Sequence, residues 1–435
     1  MRLLTLGINY WPEETGIAVF NTGRCEHMAA QGHDTVMCTA FPYYPHWRVN
    51  GAYRGRVFSR ETHKGVEILR SYLYVPRRVT TLRRMLHESS FIASACLRAM
   101  ASRRPDVLLT VSPPLGLALP TLLLSRLWGI PYAFRVEDLQ PDAAVDLGML
   151  PSGPLVRLLY AIERLAYRRA ALVSTLTPAM RRKIVSKGIP PERVTVSPGW
   201  ADPSVFELPL TGGGAAFRQR FGLANCFLAV HVGNMGVKQG LDVVLAAAER
   251  SRDCPEIVYL LIGDGAVRPA LEARAAAIGL SNLRILPLQP AVVFRDVLAA
   301  TDLALVTQQR AVADIVFPSK VLTLLAAGKP VVASLNASSE VACVVTEAGA
   351  GVITAAEDPE ALATVVRTLG ADVDRRHRMG AQGRAYAWAH WDRERILSAM
   401  EQQFLALAQG RSWSTASAPG GADAAEHLPR HSHVR

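Results

Sequence analysis

The strongest constraint on this chain is its rhythm. Apolar runs of four to six residues alternate with longer stretches of helical periodicity almost from end to end. Strands covered on both faces read as continuous apolar runs, and strand-helix-strand series close into parallel sheets. The rhythm therefore predicts an α/β chain rather than a sandwich or a helical bundle. In the first half strands are predicted over 3–8, 35–39, 107–111, 132–136 and 171–176, with helices over 19–31, 85–102, 115–128 and 155–169. A short strand near Val194 runs out at Pro198-Gly199-Trp200, and Leu210-Thr211-Gly212-Gly213-Gly214 reads as a flexible linker. A second series then begins, with strands over 227–232, 257–262, 283–286, 303–306 and 331–334.

The 435 residues suffice for two or three domains of about 150 residues, each with its own core. A peptide hormone, a coiled coil and a disordered regulator are excluded. The expected organisation is two doubly wound, Rossmann-like domains over 1–200 and 201–385, facing a central cleft at the carboxyl ends of their strands, where such sheets place ligands. A C-terminal helix over 386–409 is expected to pack back on the first domain, and 410–435, rich in Ser, Ala, Gly, Pro and His, to be a disordered tail. A membrane span needs about 20 apolar residues; the longest run, Leu115 to Leu124, has ten and carries Pro120. The start of the chain turns polar and Pro-rich by residue 12, too soon for a signal-peptide core. A soluble, cytoplasmic chain is expected. Six cysteines, at 25, 38, 96, 226, 254 and 343, form no ligand pair and no disulfide framework, and read as buried free thiols.

The formal charge of +11 is lopsided: residues 1–200 carry 26 Lys plus Arg against 14 Asp plus Glu, residues 201–435 carry 22 against 23. A basic half suits nucleic acid, an anionic membrane surface or an anionic small ligand. Nucleic acid is the poorest of these, because no recognition module is present and the arginine clusters lack interleaved aromatics.

Several segments carry candidate chemistry. The loop Asn9-Tyr10-Trp11-Pro12-Glu13-Glu14-Thr15-Gly16 precedes a helix, and Gly16 there either lets backbone N–H groups approach an anion or serves the turn alone. The segment 231–245 places Gly233, Gly236 and Gly240 around Lys238, an arrangement suited to a phosphate or to an ordinary turn with a solvated lysine. Asp264, in Gly263-Asp264-Gly265, either caps the next helix or touches a ligand. Pro318 and Ser319 open a helix whose first N–H groups lack partners, with Lys320 at its positive end and no acid beside it. That lysine opposes the helix dipole, and a diphosphate would compensate it. Four carboxylates, Glu137, Asp138, Asp142 and Asp146, follow a first-half strand; Asp138, placed directly after it, is the candidate to orient a hydroxyl or take its proton. No Ser-His-Asp order and no metal-ligand spacing is visible, and no cofactor is implied. Residues 76–104 combine Arg77, Arg78, Arg83, Arg84, Arg98, Arg103 and Arg104 with apolar residues in an amphipathic pattern, suited to an anionic lipid surface or to a core helix with a solvated face.

Together these segments resemble the retaining, GT-B-fold glycosyltransferases of family 4, over roughly residues 1–405. The resemblance rests on Tyr10–Gly16, on Leu261-Ile262-Gly263-Asp264-Gly265 and on Ala326-Ala327-Gly328-Lys329-Pro330-Val331-Val332. Within the family the chain is similar to colanic-acid and exopolysaccharide transferases at Gly7-Ile8-Asn9-Tyr10, Pro42-Tyr43-Tyr44-Pro45, residues 233–240 and Pro318-Ser319-Lys320. It implies a nucleotide-sugar donor bound by the second domain through Gly233, Asn234, Gly236, Gln239, Asp264, Gly265, Pro318, Ser319 and Thr323. Lys238 and Lys320 would neutralise its phosphates, Gly16 would face them, and no metal would be required. The acceptor, a lipid-linked saccharide, would sit on the first domain, and the protein would be peripheral at the inner face of the plasma membrane. The chain departs from the family at Asn234 and Gln239, where an Arg and a Lys are common, and at Ile315 and Thr323, where two glutamates are. The family's acceptor-side histidine has Arg135 and Asp138 as its nearest counterparts. The leading reading is a glycosyltransferase of exopolysaccharide assembly; a nucleotide-sugar epimerase of the same fold and a non-catalytic sugar-nucleotide-binding subunit are the rivals.

Overall fold

The computed structural model describes residues 1–78, 80–146, 153–311 and 318–411. Apart from Gly410 and Arg411, the expected tail lies outside the described residues. The chain forms two compact units, one of residues 1–198 together with the chain from 396 onward, the other of residues 199–395.

The first unit contains β1 (Arg2–Leu6), α1 (Ile17–Ala30), β2 (Asp34–Ala40), β3 (Phe58–His63), β4 (Val66–Ser71), α2 (Thr81–Met100), β5 (Val107–Ser112), α3 (Ala118–Trp128), β6 (Tyr132–Val136), α4 (Gln140–Asp146), α5 (Pro154–Arg169), β7 (Leu172–Thr175), α6 (Pro178–Ser186) and β8 (Val194–Val196). Its strands form one eight-stranded sheet in the order β3-β4-β2-β1-β5-β6-β7-β8, parallel throughout except where β3 runs against β4. β1 lies between β2 and β5, so the winding reverses there. The predicted strands match this sheet to within two residues at either end. The edge hairpin is the exception: β3 reads Phe-Ser-Arg-Glu-Thr-His and is half-exposed along its length, so it carries no apolar run to announce it.

The second unit contains α7 (Ala215–Arg220), β9 (Phe227–Asn234), α8 (Asp242–Arg250), β10 (Ile257–Asp264), α9 (Arg268–Ala277), β11 (Leu283–Leu286), α10 (Ala291–Ala300), β12 (Leu303–Thr307), α11 (Lys320–Ala326), β13 (Val331–Ser334), α12 (Glu340–Glu347), β14 (Gly351–Thr354), α13 (Pro359–Ala371) and α14 (Val373–Trp391). Its six strands are parallel, in the order β11-β10-β9-β12-β13-β14, and reverse between β9 and β12. Leu260, Leu261, Leu305, Val331 and Val332 are fully buried in its sheet, each such side chain stabilising the fold by ~1.5–3 kcal/mol.

The structure corrects three expectations. Residues 210–214 are not the link between units: the boundary falls at 198/199, and Gly214 packs inside the second unit, where a Cβ would stand 2.5 Å from the Ala300 nitrogen. The C-terminal segment is also not one helix from 386. α14 ends at Trp391 within the second unit, and α15 (Arg393–Ala408) belongs to the first unit from Ile396. There Glu401 accepts from His33 at 2.8 Å, and the Gln403 amide donates to the Thr195 hydroxyl at 3.5 Å. Finally, the six cysteines are free but only Cys25 and Cys38 are buried, while Cys343 is exposed. Among the described residues no helix is long and apolar enough to cross a membrane.

Candidate functional site

In the second unit the candidate residues gather at the carboxyl ends of β9, β10 and β12, beside the reversal point. They are not all in loops, as the pattern predicted: β9 and β10 continue two residues further, pairing Gly263 with Gly233 and Asp264 with Asn234. Glycine is required in this extension, because a Cβ on Gly263 would lie 1.8 Å from the Gly233 carbonyl oxygen and one on Gly265 2.4 Å from that of Met235. Both glycines also have strongly positive φ, which side chains disfavour. The result is a pairing of backbone too close for a Cβ, with the Arg268 guanidinium donating to the Gly263 carbonyl at 3.4 Å. Asn234 is exposed beside it, its amide against Gly236. The Gln239 side chain accepts from the Gly236 N–H at 3.1 Å, and its carbonyl accepts from the Thr307 hydroxyl at 2.6 Å. Gln239 thus shapes the turn that carries Lys238. The Lys238 ammonium has no hydrogen bond or ion pair among the described residues, and its backbone carbonyl accepts from Gln309 at 2.9 Å.

Lys320 begins α11 and reaches back to the sheet. Its ammonium donates to Nδ1 of His231, a fully buried residue of β9, at 3.3 Å. Burial drives the pKa of Lys320 down to about 7, since no carboxylate among the described residues pairs with it. Burial, and then the neighbouring ammonium, hold the His231 imidazole well below its ordinary value, with the Asn234 and Leu305 carbonyls favouring the opposite shift. The ring is therefore neutral and can accept at Nδ1. His231 went unmarked in the sequence because it sits within a continuous apolar run, where a core histidine carries no distinctive spacing.

Two details of the sequence reading are overturned here. The first N–H groups of α11 have partners: Val321 and Leu322 donate to the carbonyls of Pro318 and Ser319 at 3.0 and 3.1 Å. The compact turn thus satisfies two of the N–H groups expected to lack partners. Asp264 does not cap α9, whose N-cap is Val267; its carboxylate accepts from the adjacent Gly265 N–H at 2.8 Å. Ser319 is exposed, Pro318 and Thr323 are half-buried, and Ile315 lies outside the described residues. Lys329, by contrast, is structural. It is buried, donates to the Ala299 carbonyl at 3.2 Å, and is depressed to about 8 by burial, with Asp302 opposing the shift.

In the first unit the carboxyl edge is organised by a buried triad. Arg24 of α1 and Arg135 of β6 both donate to Glu137, Arg135 at 2.9 Å. Burial alone would push the Glu137 carboxyl up, but Arg135 and Arg24 hold it at about 2. Arg135 is lowered to about 10 by burial, which Glu137 only partly offsets; it also donates to the Ser197 carbonyl at 2.6 Å. Arg135 is thus a clamp across strand ends, and is not open to an acceptor. From the triad a chain of bonds reaches the Asn9–Gly16 loop. Arg24 donates to Asn21 at 2.9 Å, Asn21 donates to the Asn9 carbonyl at 2.9 Å, and the Asn9 amide donates to Glu13 at 2.8 Å. Glu13 in turn accepts from the Tyr43 and Tyr44 N–H groups, both at 2.8 Å. Two separate sequence motifs are thereby one structural unit. Gly16 is the N-cap of α1 with φ 61°, and open space surrounds it. Asp138 follows Glu137 directly and is half-buried. Asp142 is taken up by Lys183 and Lys187, and the Asp146 side chain lies outside the described residues. Among the described residues no group of three or more His, Cys, Asp or Glu side chains is placed to hold a metal ion.

Comparison with known proteins adds to this geometry. Residues 15–200 match the glycosyl transferase 4-like domain, and residues 216–386 match the glycosyl transferases group 1. The chain is 35% identical, over 84% of its length and 91% of the relative's, to WcaI of Escherichia coli strain K12, a glycosyl transferase provisionally named for colanic acid biosynthesis. Its fold is similar to that of sucrose-phosphate synthase from Thermosynechococcus elongatus, with TM-score 0.73 and 17% identity, covering 94% of this chain and 99% of that one. It is also similar to HepE of Anabaena, solved in complex with UDP-glucose, with TM-score 0.66 and 18% identity, covering 93% and 100%.

Proposed function

The chain belongs to the family 4 glycosyltransferases of GT-B fold, and from that premise we propose that it moves a sugar from a nucleoside diphosphate donor to a lipid-linked oligosaccharide, with retention at the anomeric carbon. The observation that carries this reading is Lys320, a half-buried cation at the reversal point of the second sheet with no carboxylate partner among the described residues. A partly desolvated cation that no described carboxylate compensates is suited to an anion. The diphosphate would meet the glycine-rich edge at Gly233 and Gly265, with Asn234, Gly236 and Asp264 beside it. Lys238 supplies a second positive charge, Thr323 and Ser319 the hydroxyls, and Pro318 the turn that aims Lys320. In the reaction the bond from the anomeric carbon to the diphosphate oxygen breaks, and the acceptor oxygen bonds that carbon on the same face. The hydroxyl proton passes to Asp138, and the nucleoside diphosphate leaves with its charge neutralised by the lysines, the electrostatic contribution that is usually largest in catalysis. His231 is a positioning residue: it holds the Lys320 ammonium toward the sheet edge. Gly16 is assigned to the donor phosphates and the basic first unit to an anionic membrane surface.

The pathway reading, exopolysaccharide assembly of the colanic-acid kind, is supported by the likeness to WcaI. The test is transfer of label from a panel of nucleotide sugars, UDP-sugars first, to lipid-diphosphate saccharides. Product that retains the donor's anomeric configuration is expected, and Lys320→Ala should abolish it. Donor conversion without acceptor would indicate an epimerase. Binding without either reaction would indicate a non-catalytic subunit, and transfer that survives both Lys320→Ala and Asp138→Ala would overturn the site.

A further inference from the structure

A recess of about 730 Å³ opens at the amino ends of β5, β6, β7 and β8, the edge of the first sheet opposite the Asn9–Gly16 loop. The segments that line it, 104–106, 129–131, 169–171 and Arg193, each lead into one of these strands, and the end of α15 with the residues after it completes the lining. All of them belong to the first unit. Small-molecule sites commonly enclose ~300–1,000 Å³, so the recess is large enough for a ligand of nucleotide size.

Its charge has one sign. Arg104, Arg169, Arg193 and Arg411 line the recess, and none has an ion pair among the described residues. The Arg411 guanidinium donates to the neutral Gln409 side chain at 2.6 Å. The one carboxylate in the lining, Asp106, accepts from the Arg2 backbone N–H at 2.6 Å. Arg169 closes α5 and Arg411 follows α15, where a helix dipole favours a cation. Arg104 lies four residues beyond α2 and Arg193 stands directly before β8, so neither has that reason to be there. Like charges gathered around one hollow repel each other, and a bound anion relieves them. Guanidinium groups present planar forks suited to phosphate oxygens, and four of them exceed the charge of a single phosphate monoester. Ile130 and Leu407, both buried, add an apolar surface that suits a ring system better than a bare inorganic ion. We infer that this recess is a second nucleotide site, which takes a nucleoside polyphosphate with its phosphates among the arginines and its ring system against Ile130 and Leu407. It shares no residue with the donor edge proposed above, so a nucleotide here is an effector and not a substrate. α15 brings the chain back from the second unit to the first, and a ligand at its end fastens that return.

The test is amide hydrogen exchange of the full chain with magnesium-free ATP in about 0.15 M KCl, where weak surface attraction is screened. ATP should slow exchange over 129–133 and 404–411, and Lys320→Met should leave that protection in place. Arg169→Gln and Arg193→Gln should each raise the ATP concentration that half-protects 404–411 by about fivefold. Both variants should keep wild-type thermal unfolding without ligand, and wild-type transfer to a water-soluble acceptor without ATP. Glycerol 3-phosphate, with one phosphate, should need a concentration about a hundredfold higher than ATP. Protection confined to the donor edge at 233–240 and 263–265, or protection of 404–411 indifferent to both arginine substitutions, overturns the second site. Glycerol 3-phosphate bound as tightly as ATP assigns the arginines to a single phosphate, as in a lipid headgroup, and also overturns it. Loss of transfer with every acceptor in the wild-type chain is the separate failure of the proposed function and leaves the exchange result standing.

Discussion

Both units hold positive charge at the carboxyl edge of a sheet, fully buried in the first and half-buried in the second, and they treat it in opposite ways. In the first unit Arg24 and Arg135 share Glu137, and the guanidiniums also brace Asn21 and the Ser197 carbonyl. In the second unit Lys320 meets, among the described residues, a neutral imidazole and no carboxylate. A buried cation with a carboxylate is architecture, because the protein has spent its own charge to satisfy it. One without a described carboxylate is open to the charge of a ligand, as proposed above for the donor diphosphate. Lys329 makes the contrast within a single unit: it is buried too, but a carbonyl and the nearby Asp302 satisfy it, so it ties elements together.

Breaking the satisfied side should have the largest effect on stability. Glu137→Gln removes the carboxylate that Arg24 and Arg135 share and is expected to cost about 3–5 kcal/mol, read as a lower denaturation midpoint. The same coupling gives acid sensitivity. Glu137 is depressed from its ordinary 4.5 to about 2, so its stabilisation is complete above 4.5 and is lost as pH falls through 2. Unfolding followed from pH 5 to 2 should show this loss, and Glu137→Gln should flatten it.

On the open side, Lys320→Met should lower kcat/KM for transfer by about 10²–10³-fold while leaving thermal stability unchanged or raised, since it removes a desolvated charge. Equal losses of activity and stability would make Lys320 architectural and erase the contrast. The pH dependence sharpens it further. The free lysine titrates near 7, and a bound diphosphate raises that value, so binding takes up a proton. Nucleoside diphosphate affinity should be flat below pH 7 and fall up to tenfold per pH unit above it, by titration calorimetry. Lys320→Met should remove the slope. Smaller effects belong to the supporting residues. His231→Leu is expected to raise the donor KM several-fold with less effect on kcat, because Lys320 loses its anchor. Gln239→Ala, which frees the Gly236 N–H, should cost only about 1 kcal/mol of donor binding.

Much of this protein was legible as pattern. Continuous apolar runs located nearly every central strand because a strand buried on both faces has no choice of composition; β3, an edge strand with polar residues, had that choice and was missed. Motif glycines pointed to the donor edge, although their reason, strands that approach too closely for a Cβ, appears only once Gly233 and Gly263 are paired. Gly212-Gly213-Gly214 looked flexible because composition records freedom of the backbone and not the neighbours that remove it.

The sequence by itself determined the fold class, the two sheets and the uneven charge, which follow from periodicity and local composition, and its motifs carried the resemblance to the family. Tertiary structure alone decided which charges are satisfied. Glu137 lies 113 residues from Arg24 and Lys320 lies 89 from His231, and no local signal links them. Desolvation and pairing depend on what surrounds an atom in space, and that is why one arginine pair shares a carboxylate while one lysine has none among the described residues.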